Sequence, residues 1–281
     1  MARPSPPPLF SKITKSSIIN HQILVLVLVP VLVVVLETLP GCASPPPPLT
    51  PQPPTNPAVL AIHLPIDNVF LVMGSRPILI DTGTPHETEK IEDAIHGAGL
   101  RLRDLALIVV THGHGDHAGG AKRLRDVSGA PVLAGEPDLP VFESGHNREM
   151  KPIGLTAHLI RASVDFAFEP FAPDLLVRGD APFDLRPYGV EGRAIPTPGH
   201  TPGSISVLLA SGDCFVGDLF SGGYLGGAIA PETPTTHYFH DDQAASEAHV
   251  AELVKLGAKR FFLGHGGPVE AQDALAAFGG K

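Results

Sequence analysis

Residues 111–120 read THGHGDHAGG, and they follow the apolar run 105–110, which predicts a buried strand. Four potential metal ligands stand within this stretch: His112, His114, Asp116 and His117. The first two can project to the same side of an extended loop, whereas the second two are adjacent and diverge at a turn. The spacing therefore favours two metal ions at one strand end. The alternative interpretation is a solvated histidine-rich loop.

Three further segments offer the partners that such a site needs. The loop 196–204, PTPGHTPGS, holds His200 among prolines and glycines, which predicts a rigid third ligand for the first metal. Asp218 ends an apolar strand, where it would otherwise be an acid without a partner, so we interpret it as a carboxylate that bridges two cations. His265 follows the apolar run 260–263 and stands among glycines at another strand terminus.

The composition argues against several classes of protein. The chain has 281 residues, of which 43% are hydrophobic, so it can bury a sizeable core in one domain. Its formal charge of -9 argues against a protein that wraps nucleic acid, which needs a basic face. The two cysteines, Cys42 and Cys214, form no CxxC pair, so we expect neither a disulfide framework nor thiolate-bound zinc. Cys214 is expected in a buried strand.

Residues 1–42 read as a targeting segment. The start of the chain carries three basic residues, Arg3, Lys12 and Lys15. An apolar run at 23–36 is short for a membrane-spanning helix, and it leads to LPGC at 39–42, which resembles the lipobox of bacterial lipoproteins. We therefore expect a lipoprotein that is tethered through Cys42 to a bacterial envelope membrane and faces the periplasm or the exterior. An uncleaved N-terminal anchor is the alternative.

The remainder divides into a spacer and a catalytic domain. Residues 43–57 are dominated by proline and predict a semi-rigid linker, because proline can neither pair in a sheet nor continue a helix. The folded domain is expected at 58–281. Short apolar runs at 58–64, 68–73 and 77–80 predict an antiparallel meander. Strands then alternate with helices, which predicts an α/β fold built from layers of sheet and helix.

Local signals give narrower expectations. The tetrapeptide TPHE at 84–87 predicts a capping box with proline at the first helical position. Residues 191–192 predict a hairpin turn within the strands at 183–195. The segment 143–180 has no sustained period and predicts loops or a small insertion beside the site. A helix at 241–256 is expected to bury Ala244, Ala245, Val250 and Leu253.

Taken together, five motifs resemble those of the metallo-β-lactamase superfamily: HxHxDH at 112–117, GH at 199–200, GD at 217–218, GH at 264–265 and DTG at 81–83. The resemblance covers 58–281 and implies a four-layer αββα sandwich. It implies that one metal is bound by His112, His114 and His200, and the other by Asp116, His117 and His265. It also implies that Asp218 bridges the two metals and that Asp81 braces the ligand loops.

A two-metal centre makes hydrolysis the default reaction. Two cations about 3.5 to 4 Å apart can share a water, lower its pKa toward neutrality and supply hydroxide as the nucleophile. Asp116 is the candidate catalytic residue, because it can orient that hydroxide or carry a proton to the leaving group. Imidazole and carboxylate ligands favour two divalent zinc ions, and iron or manganese fits the same ligands.

Three functions compete for such a site. The first is hydrolysis of a small ester, thioester or lactone, as in the similar hydroxyacylglutathione hydrolases and lactonases. The second is an oxidoreductase resembling the persulfide dioxygenases, with a single iron, and the third is a metal-binding lipoprotein without turnover. A β-lactamase is disfavoured, because the resemblance implies a cysteine or serine in true β-lactamases where this chain has Asp218.

We expect a small-molecule substrate and a membrane as partners, and no nucleic acid. The region 221–240 either lines the substrate pocket or forms an ordinary surface loop; its candidate residues are Tyr224, His237, Tyr238 and His240.

Overall fold

The computed structural model describes residues 58–279. The targeting segment at 1–42, the proline-rich linker at 43–57 and the expected lipidation of Cys42 lie outside these residues and stay predictions. Within the described range, none of the helices combines the length and the hydropathy of a membrane span.

Two six-stranded sheets form the centre of residues 58–279. The strands are β1 (Ala58–His63), β2 (Asn68–Met73), β3 (Pro77–Ile80), β4 (Leu107–Val109), β5 (Val132–Gly135), β6 (Leu175–Val177), β7 (Phe183–Asp184), β8 (Gly192–Pro196), β9 (Ile205–Leu209), β10 (Asp213–Phe215), β11 (Ser221–Tyr224), β12 (Ile229–Thr235), β13 (Arg260–Phe262) and β14 (Val269–Glu270). The first sheet runs β1-β2-β3-β4-β5-β6, antiparallel up to β3 and parallel beyond it. The second runs β14-β13-β10-β9-β8-β7, and β11 and β12 form a separate hairpin.

Helices connect and cover these sheets. They are α1 (Thr88–Gly97), α2 (Gly115–Ala118), α3 (Ala121–Ser128), α4 (Leu139–Ser144), α5 (Gly154–Ile160), α6 (Gln243–Lys255) and α7 (Ala271–Phe278). The longest, α6, begins at a side-chain cap, since the Ala245 amide donates a hydrogen bond to Asp242 Oδ1 at 3.0 Å.

Three apolar clusters stack these elements into four layers. In the first cluster, Leu79 of β3 lies with Ile91 of α1. The next residue, Ile80, points to the opposite face of the strand and belongs with Phe215 to the cluster between the sheets. The third cluster joins the second sheet to α6 and α7 and includes Leu253. The order helix, sheet, sheet, helix is the αββα arrangement that the resemblance implied.

A predicted helix start and a predicted turn were displaced. Glu87 Oε2 accepts hydrogen bonds from the amide and the hydroxyl of Thr84, which is the glutamate contact of the predicted capping box, but residues 85–86 form a turn and helix α1 begins at Thr88. The connection between β7 and β8 turns at 186–189 and not at 191–192. Gly192 is already paired in β8, where it lies opposite Leu209.

Two further predictions, the buried residues of α6 and the irregular segment 143–180, were only partly correct. On α6, Val250 and Leu253 are buried as expected, but Ala244 is exposed and Ala245 is half-buried. Ser246 is buried instead, since it lies four residues before Val250 on the same face of the helix, and its hydroxyl bonds to His240 Nδ1 at 3.0 Å. The segment 143–180 contains α5 and β6 and so holds more regular structure than its sequence predicted. Cys214 lies in β10 and is fully buried, as expected, and burial raises the pKa of its thiol.

Candidate metal centre

The predicted site residues converge at the ends of strands from both sheets. His112 and His114 follow β4 of the first sheet, and Asp116 and His117 lie on the short helix α2. His200, Asp218 and His265 follow β8, β10 and β13 of the second sheet. The structure therefore brings together all seven candidate ligands, which are 9% exposed or less.

Three histidines, the first trio, face one another: His112, His114 and His200. The distance from His200 Nε2 to His112 Nε2 is 3.1 Å, and that to His114 Nδ1 is 3.0 Å. Ligand nitrogens at tetrahedral angles around zinc, each about 2.0 to 2.1 Å from the ion, stand roughly 3.3 Å apart. The first trio matches this spacing closely.

A second trio lies beside the first: Asp116, His117 and His265. Asp116 Oδ2 is 3.6 Å from His265 Nε2 and 4.0 Å from His117 Nε2. This trio is more open than the first, although one ligand atom from each residue still lies within 4.8 Å of the others. Its atoms can converge on a cation with small side-chain movements.

Asp218 lies between the two trios. Its Oδ2 atom is 3.6 Å from His200 Nε2 of the first trio and 3.4 Å from His265 Nε2 of the second. Its Oδ1 atom is 3.5 Å from His117 Nε2. One carboxylate therefore faces donor atoms of both trios, as a bridging ligand would.

Asp81 braces the site from behind. Its Oδ1 accepts the Thr111 amide at 2.7 Å, and its Oδ2 accepts both the Thr111 hydroxyl and His117 Nδ1–H at 2.9 Å. Asp81 has a φ of 63°, a left-handed conformation that Asp and Asn tolerate better than most residues. The short contacts show that Asp81 fixes the orientation of the His117 ring, the role that the resemblance implied.

Hydrogen bonds to the outer ring nitrogens orient three of the other histidines. The Nδ1 atoms of His200 and His265 donate to the carbonyls of Phe239 and Ile66, each at 2.7 Å. The Thr111 hydroxyl gives its hydrogen to Asp81, so it accepts the 3.1 Å hydrogen bond from His112 Nδ1. In all three rings, Nε2 is left with its lone pair directed into the site.

These orientations fit a bound cation. The lone pairs of His112 Nε2 and His200 Nε2 point at each other across 3.1 Å, an arrangement that needs a positive charge between them. In the second trio, His117 Nε2 and the neighbouring Asp218 Oδ1 are buried and have no hydrogen-bond partner. Buried polar atoms without partners are costly, and a divalent ion would satisfy both.

The two trios differ in electrostatics. Burial lowers the pKa of His112 and His200 well below the ordinary value, and neighbouring imidazoles add to this effect. Burial also acts to lower the pKa of His117 and His265, but the carboxylates around them, Asp218 foremost, raise it well above that value. The negative charge is therefore concentrated around the second trio.

Of the candidate pocket residues in 221–240, three line a cavity beside the site: Tyr224, His237 and Tyr238. His237 comes closer than the sequence predicted, because its Nε2 is 3.3 Å from Asp218 Oδ2. His240 packs its ring 5.5 Å from that of His200 and bonds to Ser246 instead. The sequence analysis named His237 as a candidate pocket residue, but because it follows a polar segment with no apolar strand before it, no sequence signal placed it next to Asp218.

Asp138 was not among the candidate residues of the sequence analysis. Its Oδ2 accepts the Gly113 amide and the Thr201 hydroxyl, and its Oδ1 accepts the Gly203 amide. It is fully buried and ties the HxHxDH loop to the loop of His200. An acid shortly after the buried strand β5 is the sequence signal that could have identified Asp138.

Comparisons with known proteins agree with this geometry. The family model described as the metallo-beta-lactamase superfamily matches residues 64–265. A metal-dependent hydrolase of Pyrococcus horikoshii is 37% identical over 89 residues, which are 31% of this chain and 36% of that protein. A hydroxyacylglutathione hydrolase of Alkalilimnicola ehrlichii is 32% identical over 209 residues, 74% of this chain and 64% of that protein. The chain thus spans less than two thirds of the length of both relatives.

Solved structures show the same fold. The Rm3 metallo-beta-lactamase is 23% identical with a TM-score of 0.57, covering 78% of this chain and 87% of that one. A metallo-beta-lactamase of Cronobacter sakazakii is 27% identical with a TM-score of 0.53, covering 74% of each chain. With the family match over most of the folded domain and the histidine and aspartate groups in place, the chain belongs to the metallo-beta-lactamase superfamily.

Proposed function

We propose that this protein is a hydrolase of small esters, thioesters or lactones that works with two divalent cations, zinc being favoured. The first trio would bind one ion, the second trio the other, and Asp218 both. The observation that carries the proposal is the position of the Asp218 carboxylate, which faces Nε2 atoms of both trios at 3.4 to 3.6 Å. A site for a single ion would need no acid between two sets of ligands.

When bound, the two ions would lower the pKa of a shared water and polarise a carbonyl oxygen. The chain itself supplies the proton route. Asp116 lines the cavity, and although burial acts to raise its pKa, His117 and His265 lower it below its usual range. It is therefore ionised at neutral pH, and the carboxylate oxygen that does not hold the ion can accept a hydrogen bond from the attacking water and orient it. The proton that this water releases can then pass along that hydrogen bond to the leaving alcohol or thiolate.

The charge between the trios also bears on the substrate. A carboxylate at Asp218 places negative charge between the cations and occupies their coordination space. This disfavours a substrate that must bring its own carboxylate to the second ion, as a β-lactam does. The relative named a hydroxyacylglutathione hydrolase supports the hydrolytic class without fixing the substrate.

The test is a substrate panel on protein that has been stripped with a chelator and reloaded with zinc, manganese or iron. We expect kcat/KM for a thioester, an ester and a lactone to exceed that for several β-lactams and a phosphodiester. Efficient β-lactam turnover with negligible ester cleavage would refute the proposal. Oxygen consumption with a persulfide, at one iron per chain, would identify the dioxygenase instead.

We also propose that the N-terminal segment tethers the enzyme to an envelope membrane through Cys42. The support is in the sequence alone: a basic start, the short apolar run at 23–36 and the LPGC box. Changing Cys42→Ser should abolish lipid attachment and alter processing. If the mass and membrane fractionation of this variant match those of the wild type, an uncleaved anchor is the better account.

A further inference from the structure

A cavity of about 390 Å³ opens directly beside the candidate metal centre. Its inner end is formed by side chains of the two trios and by Asp218, so a molecule in the cavity can reach the site of reaction. The volume lies within the range of pockets that hold small-molecule ligands.

Helix α5 and the turn after it form one wall. Thr156, Ile160 and Val164 are spaced by four residues and line the cavity together, as positions on one helical face do. On the same helix, Leu155 and Leu159 do not line the cavity and are 76% and 75% exposed. This wall is therefore formed by the side chains of Thr156, Ile160 and Val164 and not by the two exposed leucines.

The hairpin of β11 and β12 contributes a second wall. Tyr224 and Leu225 lie at its tip and line the cavity. The tip is tied down, because the Leu225 amide donates a hydrogen bond to the hydroxyl of Tyr238 at 3.2 Å. Met150 and Phe239 are buried at 8% and 5% exposure and complete a mainly apolar lining.

The charges of the cavity are confined to its inner end. The described residues that line it include no lysine or arginine, and its carboxylates are Asp116 and Asp218. An anionic group on the outer part of a substrate would be removed from water without a partner of opposite charge. Arg148 and Lys151 line a small adjoining space beside His200 that shares Met150 and Phe239 with the cavity, and Lys151 is paired with Asp241 at 3.2 Å.

We propose that this cavity binds the uncharged aliphatic chain of an acyl group, so that the substrate is a neutral ester, thioester or lactone of a fatty acid. The inference rests on the proposed function, because the chain must end at a carbonyl beside the two trios. Substrates with carboxylates, such as glutathione thioesters and β-lactams, lack a cationic partner in the cavity and are disfavoured.

The first test varies the acyl chain on a constant leaving alcohol, from acetyl through butyryl and hexanoyl to octanoyl, with the metal-loaded full-length protein. Each methylene that enters the cavity should raise kcat/KM about fourfold, the fold-change equivalent to about 0.8 kcal/mol. Lengthening the alcohol should have little effect. A chain-length profile that is flat, or that follows the alcohol, would overturn the proposal.

A matched pair of variants tests whether the chain-length dependence arises from contacts with the α5 wall. Ile160→Asn should lower kcat/KM for the octanoyl ester about tenfold and leave the acetyl ester within about twofold, because an acetyl group brings no methylene chain to pack against the α5 wall. Leu159→Asn, an exposed neighbour on the same helix, should change neither. Any detergent used to dissolve the octanoyl ester lowers its free concentration equally for the wild type and both variants, so it does not affect the comparison. Equal losses in both variants, or on both esters, would contradict the assignment.

A binding measurement separates this inference from the proposed function. Calorimetric titration of the metal-free protein with a long-chain methyl ketone should show binding that Ile160→Asn weakens and Leu159→Asn does not. Binding without hydrolysis of any ester would refute the proposed function and keep the cavity assignment. Ester hydrolysis without ketone binding or chain-length preference would support the proposed function and refute the cavity assignment.

Discussion

Asp81→Asn tests how the protein controls the orientation of a ligand. Asp81 is linked to both trios, since it bonds to His117 directly and to His112 through the Thr111 hydroxyl. Asparagine has almost the same shape and tolerates the left-handed backbone at this position. The substitution therefore changes the hydrogen-bond pattern and leaves the local fold intact.

The consequence follows from donors and acceptors. The amide oxygen of the variant must accept the Thr111 amide, so its NH2 group faces His117 Nδ1. Two donors cannot share a hydrogen bond, so His117 changes tautomer and carries its proton on Nε2, the atom directed at the second ion. Loss of such a partner typically lowers metal affinity about 10- to 100-fold, or about 1.4 to 2.7 kcal/mol.

The assay is a competition titration of metal-free protein against a chromophoric chelator, which gives an affinity for each ion. We expect one of the two affinities to fall about 10- to 100-fold and the other to fall less, because Asp81 bonds to His117 directly and is linked to His112 only through Thr111. Circular dichroism and thermal unfolding of the metal-free variant control for the fold. Unchanged affinities, or equal losses for both ions, would refute this reasoning.

Three further predictions concern the same centre. Asp218→Asn should weaken both ions at least about tenfold in the same titration, and loss of one ion alone would contradict its bridging role. As pH falls, the ion at the second trio should leave first. The pKa values of His117 and His265 are raised, so protons compete with the metal for their Nε2 atoms, whereas the histidines of the first trio resist protonation. Metal content measured across a pH series checks the order. Gly264→Ala should abolish the second site, because a Cβ atom would overlap Asp218 and the His117 ring, whereas Gly97→Ala, with no neighbouring atoms, should retain both ions.

Much of the fold could be predicted because apolar runs and turn residues report directly on burial. The runs at 58–64, 68–73 and 77–80 became β1, β2 and β3 with one end shifted by a single residue. The candidate ligands were equally visible, since histidine and aspartate directly after an apolar strand have few structural explanations. The contacts of Asp81 and Asp218 agree with the roles that the motifs implied.

Other features depended on tertiary contacts that no local pattern encodes. Helix α5 exposes Leu155 and Leu159 to solvent, so its hydrophobic pattern does not mark the buried face. His237 reaches the site only because the β11 and β12 hairpin returns the chain to Asp218. Ala244 was expected inside because it is apolar, but it is exposed, and the polar Ser246 takes the buried position and bonds to His240.

The central claim is that two cations share Asp218, and anomalous diffraction at the zinc absorption edge tests it most directly. Crystals of zinc-loaded protein should show two peaks per chain, about 3.5 to 4 Å apart. One peak should lie among His112, His114 and His200, and the other among Asp116, His117 and His265, with Asp218 in contact with both. A single peak at the first trio, with Asp218 bound to that ion alone under saturating zinc, would contradict the two-metal account.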